Sequence, residues 1–172
     1  FKDDERDKLS KLVFAISNIE ENEEEAQSRQ LQKTENAQPA IGALSGGMFR
    51  LLQSRGLKVD FTSGHSFGEL TALWAAGVIN DIDYHKLAVA RGKALAAPDD
   101  PNFDAGAMMA VMGKVDLVEE LLEDFSDLKI ANFNSNKQVV VAGPKCQIEK
   151  AFDYFKSKRF SVVSLPVSAA FH

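Results

Sequence analysis

Hydrophobic and polar positions divide the chain into stretches of different period. From Gln38 to Leu52, apolar residues return every three or four positions, at Ile41, Leu44, Met48, Leu51 and Leu52. That is the repeat of one helical face. It predicts a buried helix with Pro39 in its first turn and Gly56 as its stop. Gly42, Gly46 and Gly47 weaken such a helix but permit close packing. Residues 60–63 read as a short strand, and 69–76 as a helix closed by Gly77. Residues 84–97 read as a further helix, with Asp81 or Asp83 to cap it. The turn-rich Pro98-Asp-Asp-Pro-Asn102 then breaks the pattern. Beyond it, 107–112 is strand-like and 116–125 an amphipathic helix. Strands follow at 128–133 and 138–141 around an Asn/Ser/Lys turn, then a helix at 148–158 and a closing strand at 160–167. The order β-α-β-β-α-β is that of the ferredoxin-like split unit. Met108, Met109 and Met112 read as packing residues, and Cys146 as a small filler near a helix start. Residues 1–33 carry least: an apolar patch at 12–16, and an acidic run at 20–25 that predicts a solvated helix or loop.

Composition narrows the class. A length of 172 residues allows one mid-sized domain with a real core. A formal net charge of −5 leaves no basic stripe to meet phosphates, which argues against a nucleic-acid role. Cys146 is the single cysteine, so an internal disulfide is excluded and a reducing compartment fits. No apolar run is long enough to span a bilayer, and the first residues do not read as a signal peptide. The expectation is a cytoplasmic protein with no membrane role. No repeat of solenoid length is present.

The candidate chemistry lies in Asp60-Phe-Thr-Ser-Gly-His-Ser-Phe-Gly-Glu69. Strand, G-x-S-x-G and helix in succession are the context that gives such a motif meaning. A serine on a sharp strand-to-helix turn is pushed outward, and glycines on both sides relieve the crowding. The hydroxyl of Ser66 then sits near a helix N-terminus, where the dipole and open N–H groups favour a developing oxyanion. The N–H of Phe67 is the natural first donor. The plainer alternative is a glycine-rich turn with an incidental serine, although His65 and Glu69 extend the motif. A phosphate-loop reading of the earlier glycines fails, because no Gly-Lys-Ser/Thr follows. On the helix over 84–97, at about 100° per residue, Leu87, Ala88, Ala90, Ala94 and Leu95 share one arc with Arg91 in its middle. An arginine there must find an anion, pair with an internal carboxylate or snorkel outward. Lys86 and Lys93 fall on the other side as solvent-facing charges. The residues alone do not choose among His65, His85 and His172. His65 adjoins Ser66 and reads as support for the turn; His85 reads as solvent-facing. No cluster with metal-ligand spacing is present.

Gly64-His65-Ser66-Phe67-Gly68-Glu69 resembles the nucleophile motif of the malonyl-CoA:acyl carrier protein transacylase family. That family includes the acyltransferase domains of fatty acid, polyketide and polyunsaturated fatty acid synthases. The likeness begins near Thr34-Glu-Asn-Ala-Gln-Pro-Ala40 and runs to the last residue. It implies an α/β fold: a partial hydrolase-like parallel sheet with the nucleophile elbow, plus a ferredoxin-like βαββαβ subdomain. The implied division is 1–105 for the part with the serine, 106–168 for the small subdomain and 169–172 for a return segment with the histidine. It implies Ser66 as nucleophile, His172 as its base, Phe67 as an oxyanion donor, and Arg91, Phe171 and His65 as substrate-binding residues. Ala90-Arg91-Gly92 matches the segment whose arginine receives the free carboxylate of malonyl-CoA, a pairing that suits a guanidinium fork. Phe171, just before the histidine in Pro166-Val-Ser-Ala-Ala-Phe-His172, matches the pattern that goes with malonyl rather than methylmalonyl units. An asparagine-rich strand end, here Asn132, Asn134 and Asn136, lines the family's cleft; by itself the segment reads as a polar turn.

The resemblance further implies no bound cofactor, malonyl-CoA as donor, and the phosphopantetheine thiol of an acyl carrier protein as acceptor, beside neighbouring synthase domains. Two departures stand out. The family's opening Gly-Gln-Gly-x-Gln motif, whose glutamine helps build the oxyanion hole, is not found, and nothing follows His172. The expectation is a fragment of an acyltransferase domain from a polyketide or polyunsaturated fatty acid synthase. The alternatives are a serine hydrolase or thioesterase, which needs an acidic third member and no Arg91, and an inactive fragment with a scaffold role.

Overall fold

A computed structural model describes residues 9–14, 21–98, 100, 102–167, 169–170 and 172. The chain parts into two compact units, Phe1–Ala96 and Ala97–His172.

The described residues of the first unit are helical apart from their connections. After a short helical turn at 9–13 come α1 (Glu21–Gln32), α2 (Thr34–Ser54), α3 (Phe67–Ala75) and α4 (Asp81–Ala94). The acidic run thus forms most of the first turn and a half of an exposed helix. Buried positions on α2 fall at Thr34, Gln38, Gly42 and Gly46, four apart, with Pro39 and Ala40 beside them. Those on α4 fall at Tyr84, Ala88 and Gly92, again four apart. Rows of this spacing interlock when two helices pack. Gly92 meets Thr34 and Tyr84 meets Gly42, so the helices run antiparallel. Phe67 and Trp74 of α3 close this core together with Phe49, Leu70 and Ile79. The Trp74 ring stacks on Tyr84 at 5.1 Å and meets Phe49 edge-on at 5.6 Å. Gly56 and Gly77, both at positive φ, end α2 and α3. In each case the next residue's N–H bonds back to a carbonyl five positions earlier, the Schellman arrangement.

Three expectations for this unit are corrected. The helix around Gln38 begins at Thr34, which puts Pro39 inside it rather than in its first turn. Its apolar stripe is not buried: Ile41 is 50% and Met48 66% exposed, with Leu44, Leu51 and Leu52 between. The small residues let α4 approach, and they do so on another face. Residues 60–63 form no strand, and Phe61 is 93% exposed. A strand exists by pairing, and the described residues of this unit hold no other strand. Thr62 Oγ1 ties the segment to α3 by donating to the Ala72 carbonyl at 2.9 Å. No parallel sheet is therefore present among the described residues.

The second unit contains β1 (Ala107–Met112), α5 (Val115–Leu122), β2 (Lys129–Ser135), β3 (Gln138–Gly143), α6 (Lys145–Ser157) and β4 (Ser161–Ser164). This is the element order read from the sequence. The four strands make one sheet in the order β2-β3-β1-β4, every neighbour antiparallel. Met109 lies opposite Val141 and Ser164; Val111 lies opposite Val139 and Val162. Alternation sends Met109, Val111, Val139 and Val141 to the face covered by α5 and α6. There they join Val118, Leu122, Ile148, Ala151 and Phe155. Met108, Val140 and Ala142 take the other face, with Leu165, Val167 and Ala170. Asn132, Asn134 and Ser135 belong to β2, which is bulged at two places, so the turn is confined to 136–137. Cys146 is exposed in the first turn of α6, not a filler.

Candidate active site

The backbone at Ser66 is unusual. Its φ of 56° with ψ of −115° lies outside the regions that a residue with a side chain ordinarily occupies. Such strain persists only where the surroundings enforce it. Here the Gly68 N–H donates to the His65 carbonyl at 2.9 Å, and the Glu69 N–H to the Ser66 carbonyl at 3.1 Å. These bonds fold the chain back so tightly that a Cβ on Gly64 would lie 2.0 Å from the carbonyl carbon and oxygen of Gly68. Only glycine fits at 64. At Gly68 a Cβ would meet nothing within 4 Å, so the crowding is on one side of the serine, not both. The buried Phe67 ring pins the start of α3 on α2, where a Cβ on Gly42 would lie 3.1 Å from its Cζ.

Ser66 is the N-cap of α3, yet its side chain makes no capping bond. The Phe67 N–H donates no hydrogen bond to any described residue. A half-buried hydroxyl and an open N–H thus sit together at the positive end of a helix. Arg91 comes from the last turn of α4, and its Nη2 stands 3.4 Å from Ser66 Oγ. Arg91 is half-buried but does not occupy the middle of a buried apolar arc. Leu87, Ala90 and Ala94 are exposed, because the seam with α2 follows Tyr84, Ala88 and Gly92. The arginine flanks that seam and turns toward the serine. A hydroxyl, a helix N-terminus and a guanidinium in one place can hold an anion beside a reacting oxygen.

A second network fixes α4. Asn80, not Asp81 or Asp83, is its N-cap. Asn80 Oδ1 accepts from the Asp83 N–H at 2.9 Å, and its Nδ2 donates to Asp83 Oδ2 at 2.8 Å. Trp74 Nε1 donates to Asp81 Oδ1 at 2.8 Å, and Arg50 pairs with the same carboxylate. These two donors hold the Asp81 carboxyl below its ordinary value, Trp74 being the larger cause. Tyr84 Oη lies 2.9 Å from Thr71 Oγ1 and donates to the Gly42 carbonyl at 3.2 Å. Burial pushes this phenol up. The Asn80-x-x-Asp83 spacing is a capping signal visible in the sequence, whereas the bridge from Asp81 to α2 and α3 has none.

Of the other candidates, His65 is exposed and supports the turn through its carbonyl. His85 is half-buried, its ring 5.3 Å from that of Tyr84, and not simply solvent-facing. Lys86 and Lys93 are exposed. His172 belongs to the second unit, exposed, with φ of 95°. Phe171 lies outside the described residues. Among the described residues no group of three or more His, Cys, Asp or Glu is placed to hold a metal. No helix among them is long and apolar enough to cross a membrane. A hollow of the first unit, about 730 Å³, is lined by Pro39, Ala43, Ile82, His85 and Val89 and touches neither Ser66 nor Arg91. The chemistry follows the elbow and not the volume.

Comparison with known proteins decides the family. The model of the acyl transferase domain matches residues 8–172. The chain belongs to that family. A malonyl CoA-acyl carrier protein transacylase of Synechocystis is 34% identical over 83% of this acyl transferase chain. A phenolphthiocerol-synthesis type I polyketide synthase of Mycobacterium marinum is 40% identical over 83% of it. The crystal structure of an acyl-carrier-protein-S-malonyltransferase from Bartonella henselae superposes with a TM-score of 0.80 at 35% identity, covering 96% of this chain and 52% of that one. The acyl transferase chain spans 46% of the Synechocystis relative and 6% of the mycobacterial one.

Proposed function

We propose that the chain carries the acyl-accepting half of a malonyl-CoA:acyl carrier protein transacylase that works within a multidomain synthase. The observation that supports this best is Arg91 Nη2 at 3.4 Å from Ser66 Oγ, on an elbow that only glycine at 64 permits. In this reading Ser66 Oγ attacks the thioester carbonyl of malonyl-CoA while the His172 imidazole takes its proton. The Phe67 N–H donates to the oxyanion. The tetrahedral intermediate collapses, and coenzyme A leaves with the proton from His172. The phosphopantetheine thiol of the carrier protein then attacks the malonyl-serine and gives its proton to His172, which passes it to the departing Ser66 oxygen. Arg91 holds the distal carboxylate through its fork and favours malonyl over acetyl, because an apolar acyl chain leaves the half-buried guanidinium unpaired. Phe171 limits branching at the α-carbon. No cofactor or metal enters the reaction.

The fold reading goes with it. The part that carries the serine, 1–105, is the hydrolase-like portion, and 106–168 are the small subdomain. The similarity to the Synechocystis transacylase and the Mycobacterium marinum synthase supports malonyl transfer to a carrier protein. The test is mass spectrometry of the intact protein after incubation with malonyl-CoA. The expected result is a malonyl adduct on Ser66 that moves to carrier protein. An adduct that persists in Ser66→Ala removes the nucleophile. Rapid release of free malonate without transfer replaces the transferase with a hydrolase.

A further inference from the structure

We propose that Gly92 is a positioning residue for acyl selectivity: its missing side chain sets how far the Arg91 guanidinium lies from the Ser66 hydroxyl. The proposal rests on the reading of Arg91 as the carboxylate clamp. Gly92 is buried in the seam between α4 and the start of α2. A Cβ there would lie 2.7 Å from the Thr34 carbonyl oxygen and 3.0 Å from the Glu35 Cα. Carbon–oxygen contacts ordinarily begin at about 3.3 Å, so any side chain must part the two backbones by roughly half an ångström. Both opposing atoms belong to the main chain, and no flexible side chain can give way.

The displacement falls where it matters. Arg91 is the adjacent residue and rides on α4. Ser66 rides on α3, whose first residue, Phe67, is held against Gly42 of α2. Moving α4 off α2 therefore moves the guanidinium relative to the hydroxyl. Their separation is already 3.4 Å, at the edge of hydrogen-bond reach. The elbow itself, held by Gly64 and the bonds of His65 and Ser66, is left as it was. The expected consequence is a loss of preference among acyl donors, not a loss of the nucleophile.

The experiment compares malonyl-CoA and acetyl-CoA as donors to Ser66 in the intact protein, reading kcat/KM for each by mass spectrometry. Gly92→Ala is set beside wild type and Gly47→Ala. The latter adds a methyl to α2 where nothing lies within 4 Å. The malonyl-over-acetyl ratio is expected to fall about tenfold in Gly92→Ala, since misplacement by an ångström costs about a hundredfold. The fall should come through malonyl KM, with acetyl loading little changed and Gly47→Ala like wild type. A purely structural role lowers both donors together and leaves the ratio where it was; that result, or an unchanged enzyme, overturns the proposal. If Gly92→Ala does not accumulate folded, Ala88→Val, which pries the same seam one turn away, must lower the ratio in the same direction, and a constant ratio there overturns it as well. A wild type that forms no malonyl-Ser66 would instead refute the function on which the proposal rests, so the two failures are distinct.

Discussion

The two glycines of the G-x-S-x-G motif should respond in opposite ways to alanine. At Gly64 the added carbon would stand 2.0 Å from the carbonyl carbon and oxygen of Gly68 and 2.3 Å from the Glu69 nitrogen. Ordinary contact requires more than an ångström beyond that, and every opposing atom is backbone. The elbow can yield only by breaking the Gly68–His65 and Glu69–Ser66 hydrogen bonds, which removes the force that keeps Ser66 at its strained φ of 56°. Two lost backbone bonds at about 1 kcal/mol each, plus displaced packing around Phe67, place the loss of stability at roughly 3–4 kcal/mol. The Ser66 hydroxyl moves by about an ångström, so under the proposed function the rate should fall about a hundredfold or more even in folded protein. At Gly68 nothing lies within 4 Å, and the residue is helical, so alanine should raise helix stability by up to about 1 kcal/mol. The assay is thermal and urea unfolding of both variants in the intact protein, with malonyl-CoA turnover for Gly64→Ala. Equal stability of the two variants, or a Gly64→Ala enzyme that loads malonyl like wild type, would refute the account of the elbow.

Other outcomes follow from the same geometry. Arg91→Ala should load acetyl in preference to malonyl, checked by competition between the two donors. Phe155, fully buried against the sheet and edge-on to Phe160 at 5.5 Å, should cost about 3–5 kcal/mol as alanine, read as lost hydrogen-exchange protection of the β1 and β3 amides. Tyr84→Phe removes the hydroxyl shared with Thr71 and Gly42 and should cost about 1 kcal/mol in urea unfolding. Asp81 has a folded-state value below its ordinary 3.8, so its contribution to stability is present above that pH and disappears as pH falls through the lowered value. Asp81→Asn should flatten that part of the acid limb, followed by the Trp74 indole N–H resonance.

How much was legible beforehand differs between the two units. In the second, runs such as Ala107–Met112 and Gln138–Gly143 are short, apolar and bounded by turn residues, and the strands they predict pair with one another. All four strands lie within one unit, and pattern alone recovers their order along the chain. The misjudged features, the bulged β2 and the exposed Cys146, are matters of edge and register that period does not encode. In the first unit the elbow was legible because its chemistry is written in consecutive residues. Arg91 was legible as a charge among apolar neighbours, although the reason given, a buried arc through Leu87, Ala90 and Ala94, was not the one found. The seam between α2 and α4 is made of Thr34, Gln38, Gly42, Ala88 and Gly92, which a hydrophobicity pattern passes over.

That seam explains why the apolar stripe of α2 misled. Hydrophobic periodicity reports which face of a helix gains from cover. It does not report which face a neighbour inside the same unit will take. Close approach favours small residues, and α4 took the small face, which left Ile41, Leu44 and Met48 outward. The site does not depend on that outward face. The elbow is enforced by contacts among residues 62–72, and the guanidinium reaches it through α4 and the seam. Ser66 and Arg91 are thus brought together by the small-residue seam of α2 and α4 and by Phe67, Trp74 and Tyr84, which fix α3 against it.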